Sequence, residues 1–307
     1  MSEKVILEVT PAELKHSSER QTLIAAQPDI TVREALNKMA SHRIVSLPIY
    51  SHSRPDKIVN IVNAMDILSY IVSITKTPSG EIATSLDTDE LAKLDQNIEV
   101  VMTLDTEKES YRIIETETTD PLKKVLKAFS SGTHRVLVYD YVDNSPPYII
   151  TQSDVIKYLI AHPKAGGKVD TSKSISDLGL IRGRELLAAK NTDSALNTYH
   201  IMLEANYSAV PVVDSNGKIV MALSAADLRG LNPKAFNNLT KSIPEFLEQT
   251  DHGKSPLKVC DRNAPLTEVF TKIIEAHTHR VWVVENGKAI EVITLSDIIQ
   301  LFNEQRD

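Results

Sequence analysis

The chain has 307 residues, 42% of them hydrophobic and 24% charged, with a formal net charge of -7 and a single cysteine, Cys260. That length accommodates two domains with self-sufficient cores, and one cysteine excludes an internal disulfide framework and suits a reducing compartment. The acidic balance argues against non-specific nucleic-acid binding, although a desolvated basic cleft in an acidic protein can still take a small anion.

No apolar run approaches the ~18 residues of a membrane span. The opening MSEKVILEVTPAEL lacks a basic-then-apolar leader pattern, and Ser2 does not suit myristoylation. The expectation is cytoplasmic or nuclear residence.

The chain then repeats one pattern four times: a helix, a short apolar strand, a turn, a second strand, and a polar step that opens another helix. In the first copy the helix is ITVREALNKMASHR, with Val32, Ala35, Leu36 and Met39 on one face. A strand around Leu47, Pro48 and Ile49 follows, then the polar turn SHSRPDK and IVNIVNAMDILSYI. The second copy reads DPLKKVLKAFSSGTHR, VLVYD and YIITQSDVIKYLI; the third NTDSALNTYHIMLEANYS and AVPVVDSNGKIVMALSAADLRGL; the fourth APLTEVFTKIIEAHTHR and VWVVENGKAIEVITLSDIIQLF. Asn216-Gly217 and Asn286-Gly287 between β-branched runs mark tight hairpins. Polar residues 75–97 and the Gly/Pro/Lys-rich residues 162–171 read as linkers, the latter as the boundary between two halves. Residues 232–254 read as one or two short helices. Repeats of this kind bury a core by pairing with one another, so function is expected in the clefts between copies.

The polar step pairs Asn63 with Asp66, Thr151 with Asp154, Ser224 with Asp227, and Thr294 with Asp297. As a structural device this is a capping box, with hydroxyl and carboxylate satisfying the free N–H groups of the first turn. As a functional device the same helix N-terminus suits a phosphate, and the carboxylate can accept from the two hydroxyls of a ribose. Both readings stand for these residues. A second set is basic: His42-Arg43, His134-Arg135 and His279-Arg280 fall between helix and strand, with Asn206-Tyr207 in the third copy. Cations there complement a helix C-terminus, and arginine also grips phosphate with a planar fork. His277 and His279 lack the companions of a metal site. Gly166-Gly167-Lys168 lacks P-loop spacing, and no hydrolase, metalloprotease or kinase signature appears. Trp282 and Cys260 sit in apolar strands and read as core.

Helix, strand, turn, strand and Ser/Thr-x-x-Asp, four times in register from about residue 22 to 302, resembles the cystathionine-β-synthase (CBS) domain family. SAVPVVDSNGKIV, AFNNLTKSI, EAHTHRVWVVE and TLSDIIQLF in the second half, and SGTHRVLVYD in the first, are similar to gamma subunits of AMP-activated protein kinase. The resemblance implies an α+β (mixed α/β) fold of four βαββα repeats, at about 22–74, 98–162, 175–231 and 255–303. They would pair into two Bateman modules, 1–162 and 163–307, forming a disc. It implies a regulatory, non-enzymatic subunit that binds AMP, ADP or ATP as ligands, with no cofactor and no metal. Asp66, Asp154, Asp227 and Asp297 would meet ribose. Thr151, Ser224 and Thr294 would meet phosphate or ribose, and His134, Arg135, His279 and Arg280 would line a phosphate centre. Arg43 joins by analogy with the family's third repeat. The implied partners are catalytic and scaffold subunits of a Ser/Thr kinase, with a homodimer of discs kept open and neither nucleic acid nor membrane. The alternative is a nucleotide-independent four-CBS scaffold or phosphatase/kinase regulator.

Overall fold

The computed structural model describes residues 4–16, 23–54, 57–76, 81–86, 88–102, 113–143, 145–229, 231, 233–250 and 257–304. The expected start of the first copy near Thr22, part of the SHSRPDK turn and both ends of the 232–254 stretch lie outside the described residues. No described helix is long and apolar enough to cross a membrane.

In chain order, α1 (Pro11–His16) precedes the first copy, which holds α2 (Val32–Ser41), β1 (Ser46–Tyr50), β2 (Ile58–Asn63) and α3 (Ala64–Ile74). The short α4 (Thr88–Ala92) and α5 (Glu99–Met102) follow. The second copy is β3 (Glu115–Glu117), α6 (Lys123–Ser130), β4 (Arg135–Asp140), β5 (Ser145–Thr151) and α7 (Gln152–Ala161). The third is β6 (Ala189–Lys190), α8 (Ala195–Glu204), β7 (Ala209–Val213), β8 (Ile219–Ser224) and a 3-10 turn at Ala225–Leu228, trailed by α9 (Pro233–Asn237) and α10 (Ile243–Leu247). The fourth is β9 (Val259–Cys260), α11 (Leu266–Glu275), β10 (Arg280–Glu285), β11 (Lys288–Thr294) and α12 (Leu295–Asn303).

Three copies build the same three-stranded sheet, with orders β3-β4-β5, β6-β7-β8 and β9-β10-β11. The first pair in each is parallel, crossed by a helix, and the second is an antiparallel hairpin. In the first copy the leading strand shrinks to one parallel bridge, Ala26 to Ile49. Each copy is therefore βαββα. The leading strand, two or three residues long, is too short to show an alternation in sequence.

The helix that crosses each sheet stops in the same way. Arg43, Gly132, Asn206 and His277 follow the four helices with φ of 54°, 102°, 56° and 48°. The next N–H reaches back to close the last turn: Ile44 to the Met39 carbonyl, Thr133 to Ala128, Tyr207 to Met202 and Thr278 to Ile273. This is a Schellman stop, with a left-handed residue after the helix. Of the two predicted hairpins, Asn286 and Gly287 both take positive φ, as a two-residue I′ turn requires. At Asn216-Gly217 only Gly217 does. There the Asp214 carboxylate accepts from the N–H of Asn216 and Lys218 and widens the turn.

Two compact units form, and they interleave the sequence. One comprises residues 1–23, 114–186 and 258–307, the other 24–113 and 187–257. The expected division into 1–162 and 163–307 does not coincide with them. The reason lies in which apolar helix faces meet. In the first unit, Val125, Leu126 and Phe129 of α6 share a core with Ile298, Ile299 and Phe302 of α12. In the second, Ile67, Leu68 and Ile71 of α3 share one with Leu196, Tyr199 and Met202 of α8. The presumed linker after α7 is itself packed: Pro163–Gly166 makes a 3-10 turn, Ala165 is buried, and a Cβ on Gly166 would meet the Phe302 ring at 3.4 Å.

Candidate functional site

The four polar steps are capping boxes in the folded chain. Asp66 accepts from the Asn63 N–H at 2.8 Å, Asp154 from Thr151 at 2.8 Å, Asp227 from Ser224 at 2.7 Å, and Asp297 from Thr294 at 2.9 Å, always through Oδ2. The hydroxyls of Thr151, Ser224 and Thr294 donate to the same oxygens, at 2.7, 3.0 and 2.6 Å. Asn63 cannot copy that last bond in kind. Its amide oxygen instead accepts from the N–H of Met65 and Asp66. The capping role is thus realised in every copy. Asp66, Asp227 and Asp297 are buried and Asp154 is half-buried.

The compact units divide these residues. Asp154 and Asp297 belong to one unit, Asp66 and Asp227 to the other. In the first, Gln152 opens α7 and its amide donates to the Ser296 hydroxyl near the start of α12 at 2.8 Å, while also donating to the Phe129 carbonyl at 2.9 Å. Two helix N-termini with their free N–H groups and positive dipole ends are thereby held side by side.

Of the basic set, His134, Arg135, His279 and Arg280 are in the same unit and His42 and Arg43 are in the other, and the three pairs are not equivalent. The helix stops fix the register. Arg43 aligns with Gly132, Asn206 and His277; His134 aligns with His279, and Arg135 with Arg280. A second bond confirms this register: the first residue of the closing helix or 3-10 turn donates to the carbonyl of Val45, His134, Ser208 and His279 respectively. His42-Arg43 therefore sits three residues before the position that the other two pairs occupy. As a pair it matches the other two by composition rather than place, while Arg43 stands where the third copy has Asn206, the third-repeat position by which it was selected. His42 caps α2, with its Nδ1 3.0 Å from the Lys38 carbonyl oxygen, and Arg43 is exposed. His277, considered as a metal ligand, is the left-handed helix stop.

Of these residues, His134 lies within electrostatic range of Arg135 and of Arg280 from the fourth copy. Crowding by surrounding protein and the guanidiniums of Arg135 and Arg280 push the His134 imidazole down to about 4. His134 is nevertheless exposed to solvent, which weakens the desolvation effect. The direction stands on the two cations, one from each copy. His134 is neutral near pH 7, offering both a donor and an acceptor nitrogen beside two arginines.

Four charged residues escaped sequence reading: Arg182, which donates to Asp297 at 3.1 Å, and Arg229, Arg184 and Glu291. Arg229 is 6% exposed beside Asp227, with its Nε donating to the Ala226 carbonyl at 3.0 Å; burial lowers its proton affinity and Asp227 partly offsets this. Arg184 joins Glu291 at 2.9 Å and Asp297 at 3.0 Å. Glu291 is fully buried on β11, on the same face as Ile293. The alternation in IEVIT was the one available signal: an acid stands where a core residue belongs.

A family model described as the CBS domain matches residues 20–73, 179–230 and 252–304. It leaves out the second copy, which repeats the same sheet and helices in the structure. The chain is 24% identical over 286 residues to the Saccharomyces cerevisiae 5'-AMP-activated protein kinase subunit gamma, covering 91% of this chain and 85% of that relative. It is 27% identical over 207 residues to the Arabidopsis thaliana SNF1-related protein kinase regulatory subunit gamma-like PV42a, covering 57% and 58%. Among solved structures, a Methanocaldococcus jannaschii protein proposed in its description to be an archaeal homolog of g-AMPK has a TM-score of 0.69 at 18% identity, covering 94% of this chain and 98% of that one. With the matched segments spanning just over half its length, the chain belongs to the CBS-domain family.

Proposed function

We propose that this chain is a non-catalytic regulatory subunit that binds AMP, ADP or ATP and passes its occupancy to a Ser/Thr protein kinase complex. The observation that carries the reading is the convergence of His134, Arg135 and Arg280 within the unit that also holds the helix starts at Thr151 and Thr294. Cations and helix N-termini together suit a phosphate. Carboxylates at the same helix starts, Asp154 and Asp297 here and Asp66 and Asp227 in the other unit, supply acceptors for a ribose diol. Thr151, Ser224, Thr294, His279 and Arg43 complete the proposed set. The yeast and Arabidopsis relatives, both subunits of protein kinases, supply the kinase context. Regulation requires the nucleotide to prefer one conformation of the complex, since equal affinity for both shifts nothing.

Calorimetric titration of the purified chain with AMP, ADP and ATP tests this. Saturable heat with any of them supports the reading; no heat and no thermal shift with all three rejects it.

The engagement of every capping carboxylate favours a second reading, in which the aspartates are caps alone and the repeats form a nucleotide-independent scaffold. Replacing Asp66, Asp154, Asp227 and Asp297 together by Ala separates the two. On the scaffold reading the variant loses stability but partner binding stays indifferent to nucleotide, as it also is in the wild type.

A further inference from the structure

Residues 182–184 lie along β11 and the start of α12 and are tied there by carboxylates. The N–H groups of Arg182 and Gly183 donate to Glu291 Oε2 at 2.8 and 3.0 Å, and Arg184 Nε donates to Oε1 at 2.9 Å. Gly183 has φ of +67°, which turns the two N–H groups toward one anion. Burial alone would raise the Glu291 carboxyl; the Arg184 guanidinium and the N–H groups of Arg182 and Val292 outweigh it and hold Glu291 below the usual carboxylate value. The segment is thus built on a buried charge.

From that base both arginines reach Asp297. Arg182 and Arg184 donate through Nη1 to Oδ1 at 3.1 and 3.0 Å, and Arg184 Nη2 donates to Oδ2 at 3.2 Å. Arg182 Nη2 also donates to Gln300 Oε1 at 3.1 Å. Oδ2 already accepts the Thr294 N–H and hydroxyl. An ionised carboxylate offers about four lone-pair sites. Asp297 receives five donors, two of them on one oxygen and three on the other, so its acceptor capacity is used up. A ribose diol needs acceptors for two hydroxyls. It is neutral, and so cannot replace the cations that compensate a carboxylate only 7% exposed.

We propose that Arg182 and Arg184 form an internal gate that closes the fourth copy to a nucleoside, leaving nucleotide binding to the other copies until the 182–184 segment is displaced. This deepens the nucleotide-binding reading and rests on it. The two arginines determine which copies of the repeat accept ligand, and a partner or ligand that draws them away adds a site.

The test is calorimetric stoichiometry on the full chain with AMP, ADP and ATP. The Arg182→Ala/Arg184→Ala variant is expected to bind one equivalent more than the wild type, and adding Asp297→Ala is expected to remove that extra equivalent. Because the double variant leaves Glu291 with fewer partners, Arg182→Ala/Arg184→Ala/Glu291→Gln is measured beside it, with thermal melting to establish folding; it too is expected to gain an equivalent. Wild-type binding with the same stoichiometry in the folded variants overturns the gate and leaves the nucleotide reading standing. An extra equivalent that survives loss of Asp297 also overturns it. No binding by any of these proteins overturns both.

Discussion

Gln152 donates its side-chain amide to the Ser296 hydroxyl at 2.8 Å, joining the first residue of one closing helix to the second residue of another. The same amide serves the Phe129 carbonyl at 2.9 Å, and Gln152 is 3% exposed. The second and fourth copies are therefore fastened at the helix starts where a phosphate is proposed to sit.

Replacing Gln152 by Leu removes the donor and strands buried acceptors. The expected loss is about 1–3 kcal/mol, read as a lower urea midpoint with unchanged slope. A double-mutant cycle with Ser296→Ala is expected to show coupling, because the two groups touch.

The capping aspartates are not expected to be equal. Asp154→Ala removes a half-buried cap, a loss of about 1 kcal/mol. Asp227→Ala removes a cap and also the charge beside Arg229, a guanidinium that is 6% exposed. Removing one partner of a buried charge costs up to about 3–5 kcal/mol, so Asp227→Ala is expected to be the more damaging in denaturant titration. Equal losses would show that Arg229 does not depend on Asp227.

Four copies were legible in the amino-acid sequence because the capping step recurs intact and the apolar faces of the helices keep their period. Register was not. His42-Arg43 resembles the later His-Arg pairs in composition, and only the left-handed stop at Arg43, Gly132, Asn206 and His277 shows that it stands three residues early. A backbone dihedral leaves no consistent residue type when arginine, glycine, asparagine and histidine all occupy it. The contacts of Arg184 with Glu291 and Asp297 join residues more than a hundred positions apart. Nothing local in IRGRELL announces them; Glu291 alone, out of phase in an apolar strand, hinted that a buried charge needed a partner. The grouping of copies into compact units depends on which helix faces meet, and an amphipathic stripe does not name its partner.

The helix stops also predict a stabilising change. His277 is exposed and held at φ 48°, a conformation that costs an L side chain about 1–2 kcal/mol. His277→Gly is expected to recover roughly 1 kcal/mol of this, less the extra unfolded-state entropy of glycine, seen as a higher melting temperature. A lower melting temperature would show that the His277 side chain makes a compensating contact.

His134 gives a pH signature. Its folded value is pushed to about 4, below the ordinary 6.5. The unfolded chain therefore takes up a proton first on acidification. The contribution to stability is fully present above about 6.5 and is lost as pH falls toward the folded value. In an NMR titration the His134 ring is expected to stay neutral well below pH 6, and Arg280→Ala is expected to move its midpoint upward. A midpoint near 6.5 in the unaltered chain would mean that the arginines do not converge on it.

The most direct measurement compares AMP with adenosine, in the wild type and in an Arg135→Ala/Arg280→Ala variant, by calorimetry. If the two arginines hold the phosphate, the variant is expected to weaken AMP by about tenfold or more, one charge-assisted contact being worth roughly 1.5–3 kcal/mol, while its affinity for adenosine stays as in the wild type. Unchanged AMP affinity in the folded variant, or an equal loss for adenosine, would contradict the account.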